Sequence, residues 1–357
     1  MLLPLVMPEV HAESAPEKST LAYKYLDYLD SQPDADRIAV KAHALMLTTP
    51  FKDEWSFTGV LVNDAVSGAS PRYYTQRLTR MHDLRRGYSA GVTNYAAGGT
   101  TTLTANYSAE SDYVSKSLSA TGVWYTDDTK NTALTAGMGV TRDVINPNNK
   151  AVVNEKKSIN DLMVGVTQVF TPRDIGQINL RYASGNGYFT DPYKSFDNRP
   201  RDRNVSTVLL RWNHHFESLN STLRSSYRYY SDTYKIHAHT LGMEYAQPLA
   251  QGWALTPLVR MHTQSAAWFY VPANPDPSTG VTFPAETATY YTEDQRMSGF
   301  GAVTWGLKVA RQITPALLAD VKYEFYKQRS QWHNGGGDLT LPDFKARSVQ
   351  IGLTYQF

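Results

Sequence analysis

Five arginines raise the first chemical question. Arg181 lies between Leu180 and Tyr182, Arg211 between Leu210 and Trp212, and Arg260 between Val259 and Met261. Arg224 follows Leu223, and Arg228 lies between Tyr227 and Tyr229. In extended chain, successive side chains point to opposite faces. All five guanidiniums therefore share a face that the apolar residues avoid. Gathered on one wall of a low-dielectric enclosure, they would attract anions. Asp320, Lys322 and Glu324 also share a face, as does Glu244 with Thr240 and Gly242. A basic wall facing an acidic one makes a transverse field that sorts ions at a constriction. The alternative is that these charges pair with one another and merely hold water.

Other reactive residue types give less. His237 and His239 project from one face at i, i+2, but no carboxylate stands at a spacing that completes a metal site. Their expected place is an outer rim, with Tyr227, Tyr229 and Tyr234. His214 and His215 point to opposite faces, which is poor chelation geometry. No metal site and no cofactor is expected. The chain has no cysteine, which excludes disulfides, Cys-ligated zinc, iron–sulfur clusters and covalently attached haem. Two carboxylate-bearing loops, Asp191–Asp202 and Ala273–Gly280, read as solvated surface; arginines interleaved in the first oppose a cation. An enzyme is not expected, since no Ser–His pair is recognisable in a catalytic setting.

These residues must be positioned by strands. Alternation with period two recurs in segments of roughly ten residues, the length of a tilted membrane-spanning strand. The last segment is the cleanest: Val349, Ile351, Leu353, Tyr355 and Phe357 oppose Ser348, Gln350, Gly352, Thr354 and Gln356. The same pattern runs through Leu103–Tyr107, Leu134–Val140, Val208–Phe216 and Leu223–Tyr229. Composition agrees. The 357 residues include 24 Tyr, only 19% are charged, and Lys+Arg 35 nearly balances Asp+Glu 33. That balance argues against a nucleic-acid binder, and no apolar run is long enough for a transmembrane helix. A transmembrane β-barrel accounts for both, because its lipid-facing and water-facing residues alternate.

Seven tight turns separate these segments: Pro50–Asp53, Ala97–Gly99, Asp127–Asn131, Pro172–Asp174, Glu217–Asn220, Pro248–Gly252 and Thr314–Ala316. The intervening connections are more variable. The long ones are Ser67–His82, Asp143–Glu155, Gly185–Arg203, Phe269–Tyr290 and Arg329–Lys345. Short periplasmic turns opposite longer outer loops predict an antiparallel barrel of about sixteen strands, with fourteen or eighteen allowed by weak alternation in Leu21–Leu29 and Trp55–Val66. Trp55, Trp124, Trp212, Trp253 and Trp305 fit aromatic girdles; Trp268-Phe269-Tyr270 fits one too, with a stacking site for flavin or sugar as the alternative. Residues 1–12 read as the remnant of a secretory signal peptide, 13–20 as a flexible periplasmic lead-in, and 21–357 as a single barrel. The expected location is the outer membrane of a Gram-negative bacterium.

The stretch TTPFKDEWSFTGVLVNDAVSGASPRYY, residues 48–74, resembles the N-terminal signature of a poorly characterised bacterial outer-membrane β-barrel family, a domain of unknown function. The terminal strand with Tyr355 and Phe357 resembles the signal by which such barrels are inserted. Members of the family are often encoded beside a thioredoxin-like protein, a small lipoprotein and a flavin transferase. The resemblance thus implies a conduit or scaffold for a periplasmic or lipoprotein partner, of redox type, serving electron transfer across the outer membrane. It supplies no catalytic residues. In the signature, Ser67, Gly68, Ala69 and Ser70 suit a loop that turns back into the lumen, with Pro71 fixing the fold-back and Arg72 anchoring it beside Tyr73. The other reading is an autonomous porin-like channel for small anions, resting on the arginines. Outer-membrane lipid is the remaining expected partner.

Overall fold

A computed structural model describes residues 14–33, 35–69, 80–194, 196–272, 287–337 and 341–357. The signal-peptide segment, Ser70–Tyr73 and Ala273–Gly280 lie outside the described residues.

Sixteen strands close into one antiparallel barrel. They are β1 (Thr20–Gln32), β2 (Ala35–Pro50), β3 (Trp55–Ala69), β4 (Arg80–Ala96), β5 (Gly99–Ala109), β6 (Tyr113–Tyr125), β7 (Thr132–Ile145), β8 (Glu155–Thr171), β9 (Asp174–Gly187), β11 (Asp202–Phe216), β12 (Ser221–Asp232), β13 (His237–Pro248), β14 (Trp253–Gln264), β16 (Phe300–Thr314), β17 (Leu317–Arg329) and β18 (Phe344–Gln356). A two-residue ribbon, β10 (Asp197–Asn198) with β15 (Tyr291–Thr292), lies apart from it. Every barrel strand pairs with its neighbours in sequence order, and β1 pairs with β18 to shut the ring. Closure removes the unpaired edges that an open sheet would present to lipid.

All seven predicted tight turns lie at one rim, together with the start of β1 and the terminal Phe357. There Ser19 N–H donates to the Phe357 carbonyl at 2.9 Å, and Phe357 N–H returns the bond to Ser19 at 3.0 Å. The turns are made tight by residues that accept left-handed backbone. Asn220 (φ 46°) turns β11 into β12. Gly99 (φ 150°) opens β5 where any Cβ would lie 1.9 Å from the Val123 carbonyl oxygen.

The alternation sorts the two faces. Leu61, Leu103, Met138, Leu162, Leu180, Met261 and Ile351 are exposed on the outside, between 41% and 64%. The five girdle tryptophans are exposed with them. Phe269 is instead 3% exposed, packed in a cluster with Tyr234, Ile236, Ala267 and Met297. This cluster is built from the outer loops, so the aromatic run after β14 is loop core and only Trp268 is exposed. Small residues such as Ala22, Ala42, Ala238 and Ala302 are buried on the inner wall.

Ser67, Gly68 and Ala69 were expected in an inward-folding loop. They instead continue β3, opposite His82, Met81 and Arg80 of β4. Small residues without proline let the ladder run on.

Candidate functional site: the arginine wall and the outer loop layer

Register carries the charged residues to the inner face. Arg181 stands on β9, Arg211 on β11, Arg224 and Arg228 on β12, and Arg260 on β14; each alternates with outward-facing residues, exposed at Leu180, Leu210 and Met261 and half-buried at Leu223, Tyr227 and Tyr229. Glu244 is on β13, and Asp320, Lys322 and Glu324 are on β17. All five arginines are solvent-exposed within the lumen.

Their partners differ. Arg181 forms a two-pronged pair with Asp161 of β8. Arg211 Nη1 donates to the Gln177 side chain at 3.1 Å. Arg260 reaches Glu324 at 3.9 Å across β16. Gly306 of β16 makes the room, since a Cβ there would lie 2.9 Å from Glu324 Cγ. Arg224 is in register with Glu244, and Arg228 with Thr240. Neither Arg224 nor Arg228 forms an ion pair or side-chain hydrogen bond among the described residues.

The acidic residues do not face this wall. β17 is only two places round the ring from β14. There Asp320 pairs with Lys308 at 3.5 Å, and Glu324 with Lys322 at 3.2 Å. The strands across the lumen, eight places round, are β1 to β5. Their inner residues include Ala42, Ala44, Thr58, Ser89, Thr102 and Thr104. The cations there include Lys24, Arg37, which lies 3.9 Å from Asp30, and Arg85, held by Asp64 at 2.8 Å. A cationic arc thus faces a small, largely hydroxylic one. Alternation reveals a residue's face; only ring closure reveals what stands opposite.

The outer rim holds a site that sequence reading missed. Asp294 is fully buried and Arg199 is 7% exposed. Arg199 Nη2 reaches Asp294 at 2.7 Å and Asp197 at 2.7 Å. Arg296 adds pairs to Asp294 and, at 2.8 Å, to Asp191. The β9–β11 and β14–β16 loops are thereby riveted together, so Asp191–Asp202 is a packed ion network and not solvated surface. Burial would raise the Asp294 carboxyl, but Arg296, Lys194 and Arg199 hold it well below the usual carboxylate range. The interleaved arginines in the first loop were the available signal; Arg199 finds Asp294 at a separation of 95 residues and Arg201 finds Glu155 at 46, pairings that could not be read. Tyr234 OH bonds the Pro200 carbonyl at 2.7 Å, Asn149 bonds that of Pro192 at 2.7 Å, and Tyr193 OH bonds Asp112. Gln32 at the end of β1 bonds Gln295 at 3.3 Å. Loops from β5 round to β1 form one connected layer.

His237 and His239 lie on the outer face beside tyrosines. Tyr229 OH meets His237 Nδ1 at 3.0 Å, and Tyr227 OH meets His239 Nδ1 at 2.8 Å. A Gly-x-Ser-x-Gly string does occur, at Gly87-Tyr88-Ser89-Ala90-Gly91. It lies within β4, whereas a nucleophile elbow needs a sharp strand-to-helix turn. Asp83, Glu110 and Asp112 gather at the outer rim. Tyr355 and Phe357 stack at 5.8 Å on the outside of the closing strand.

A closed sixteen-strand antiparallel barrel, apolar outside and polar within, defines an outer-membrane β-barrel protein, located in the bacterial outer membrane. The family described as "Protein of unknown function (DUF3570)" matches residues 74–155 and 148–355, and the chain belongs to it. The match opens at the last residue of the 48–74 stretch, so membership rests on the strands that follow. No curated protein matches the chain. Among solved structures, a bacterial polysaccharide outer membrane secretin is similar with a TM-score of 0.56 at 11% identity, covering 95% of this chain and 98% of that one. CdiB from Acinetobacter baumannii is similar with a TM-score of 0.52 at 10% identity, over 94% of this chain and 60% of CdiB. At such identities the likeness is one of fold.

Proposed function

We propose that this barrel passes small anionic solutes across the outer membrane, with Arg211, Arg224 and Arg228 as the selecting surface. One observation carries this reading: exposed luminal arginines, three of them (Arg211, Arg224 and Arg228) without a carboxylate partner among the described residues, face a wall rich in small and hydroxylic residues. Charges that only held water would be matched pair by pair, as on β17. An unmatched cationic arc biases the lumen toward anions.

The test is current through the purified barrel in a planar bilayer under a salt gradient. Anion-preferring current is expected, falling toward no preference in an Arg211→Gln, Arg224→Gln, Arg228→Gln variant. Cation preference, or unchanged selectivity in that variant, overturns the proposal.

A second reading has its own support. Among the described residues the outer loops form one bonded layer, whereas the opposite rim carries tight turns and the short segment leading into β1. If that layer closes the lumen outside, the barrel suits a conduit or scaffold that receives a periplasmic or lipoprotein partner from the other rim. Such a barrel is silent by itself, and Asp294→Asn would then turn current on.

A further inference from the structure

The outward face near the long-loop rim is not uniform. On β4, β6, β7 and β8 it carries Arg86, Lys116, Arg142 and Lys156, all exposed. Among the described residues no carboxylate lies on the outward face of β3 to β8. Asp83 alternates with the outward Leu84, so its acidic group at this rim belongs to the inner side. Lys116 and Arg142 stand directly opposite each other in register. Like charges so placed repel unless an anion lies between them. Arg142 donates to the Thr141 carbonyl at 2.8 Å and, more weakly, to the Asn160 side chain at 3.4 Å, bonds that a phosphate would displace or share.

Below one end of this cluster, on β1 to β5, the lipid-facing surface is hollowed. A groove of about 550 Å³ is lined by Leu45, Phe57, Leu61, Ala90, Ala105 and Tyr107, among others. Its floor is low because Gly59, Ala90 and Ala105 are consecutive partners across β3, β4 and β5. Tyr88 and Tyr107, with ring centroids 6.3 Å apart, form its upper edge. Arg86 is the next outward residue above Tyr88, and Lys116 is in register with Tyr107. The cations thus begin where the groove ends.

We infer that Arg86, Lys116 and Arg142 bind the phosphate of an anionic glycolipid of the outer leaflet, with an acyl chain laid in the groove beneath. Guanidinium and ammonium groups at a membrane interface attract lipid phosphate, and Arg grips it through two parallel hydrogen bonds. The outward parity of these residues leaves lipid as the phase that reaches them. The site is independent of what passes through the lumen.

The test uses the full chain in detergent, mixed with a bis-phosphorylated disaccharide glycolipid or its dephosphorylated form, with bound lipid counted by native mass spectrometry. An Arg86→Gln, Lys116→Gln, Arg142→Gln variant should retain several-fold less phosphorylated lipid. Arg347→Gln, exposed on the outside of β18, should retain as much as the parent. Folding is checked by heat-modifiable migration. If the triple variant does not fold, Lys116→Gln alone should show a partial loss. Undiminished retention by the folded variant, or equal binding of the dephosphorylated lipid by the parent, overturns the assignment.

Discussion

Arg199 and Asp294 meet at 2.7 Å in a buried pair that joins the β9–β11 loop to the β14–β16 loop. Removing one partner of such a pair leaves the other charge buried and unmatched, at a cost of about 3–5 kcal/mol. Asp294→Asn should loosen both loops while the barrel stays closed, because its strands do not depend on the loops for their hydrogen bonds. Hydrogen exchange should rise across residues 188–201. Exchange unchanged there would show that the pair is not what holds the layer.

Neighbouring Glu293 gives the layer a pH response. The residue is 7% exposed, and burial pushes its carboxyl up to about 7 despite Lys194. In an opened loop it titrates near about 4.3. Packed Glu293 therefore keeps its proton where the opened form loses it. Its contribution is full below about pH 4.3 and is lost as the pH rises to about 7, on the order of several hundred-fold in the opening equilibrium. Asp294 acts oppositely: its contribution is present above about pH 3.9 and lost as the pH falls. Limited proteolysis of these loops should be slowest in mild acid and faster at neutrality. Glu293→Gln should flatten the neutral limb.

Asp161 neutralises Arg181 on the inner face. Asp161→Asn should free that guanidinium and raise anion preference, most at low salt, where the field reaches farther. A reversal potential that stays put at low salt would count against arginine-based selection.

The chain has no native cysteine, so single cysteines report the faces cleanly. Arg211→Cys should react with a water-soluble thiol reagent, and Leu210→Cys, on the lipid side, should not. The reverse order would mean a one-residue slip in register.

Gly99→Ala forces a Cβ against the Val123 carbonyl oxygen at a φ that side chains rarely adopt. The folded, heat-modifiable fraction should fall markedly. Its neighbour Gly98, where an added Cβ meets nothing within 4 Å, should accept alanine.

Sequence alone pointed to about sixteen strands, the tight-turn rim and a common face for the arginines, while the exact strand number and register awaited the closed ring. These follow from period-two alternation, a local property that any ten-residue window displays once one face meets lipid and the other water. The Trp-Phe-Tyr run at 268–270 shows where composition misleads: the same residue types suit a membrane girdle and a loop core, and neighbours decide which. Only the tertiary structure decided what each charge meets. Closure of β1 on β18 put β17 beside the arginine wall rather than across from it. Arg181 found Asp161, and Arg260 passed Gly306 to Glu324, because adjacent strands bring together residues distant in the chain. The packing of Arg199 on Asp294 belongs to no local pattern; it exists because the ring seats two loops side by side and burial then demands that their charges match.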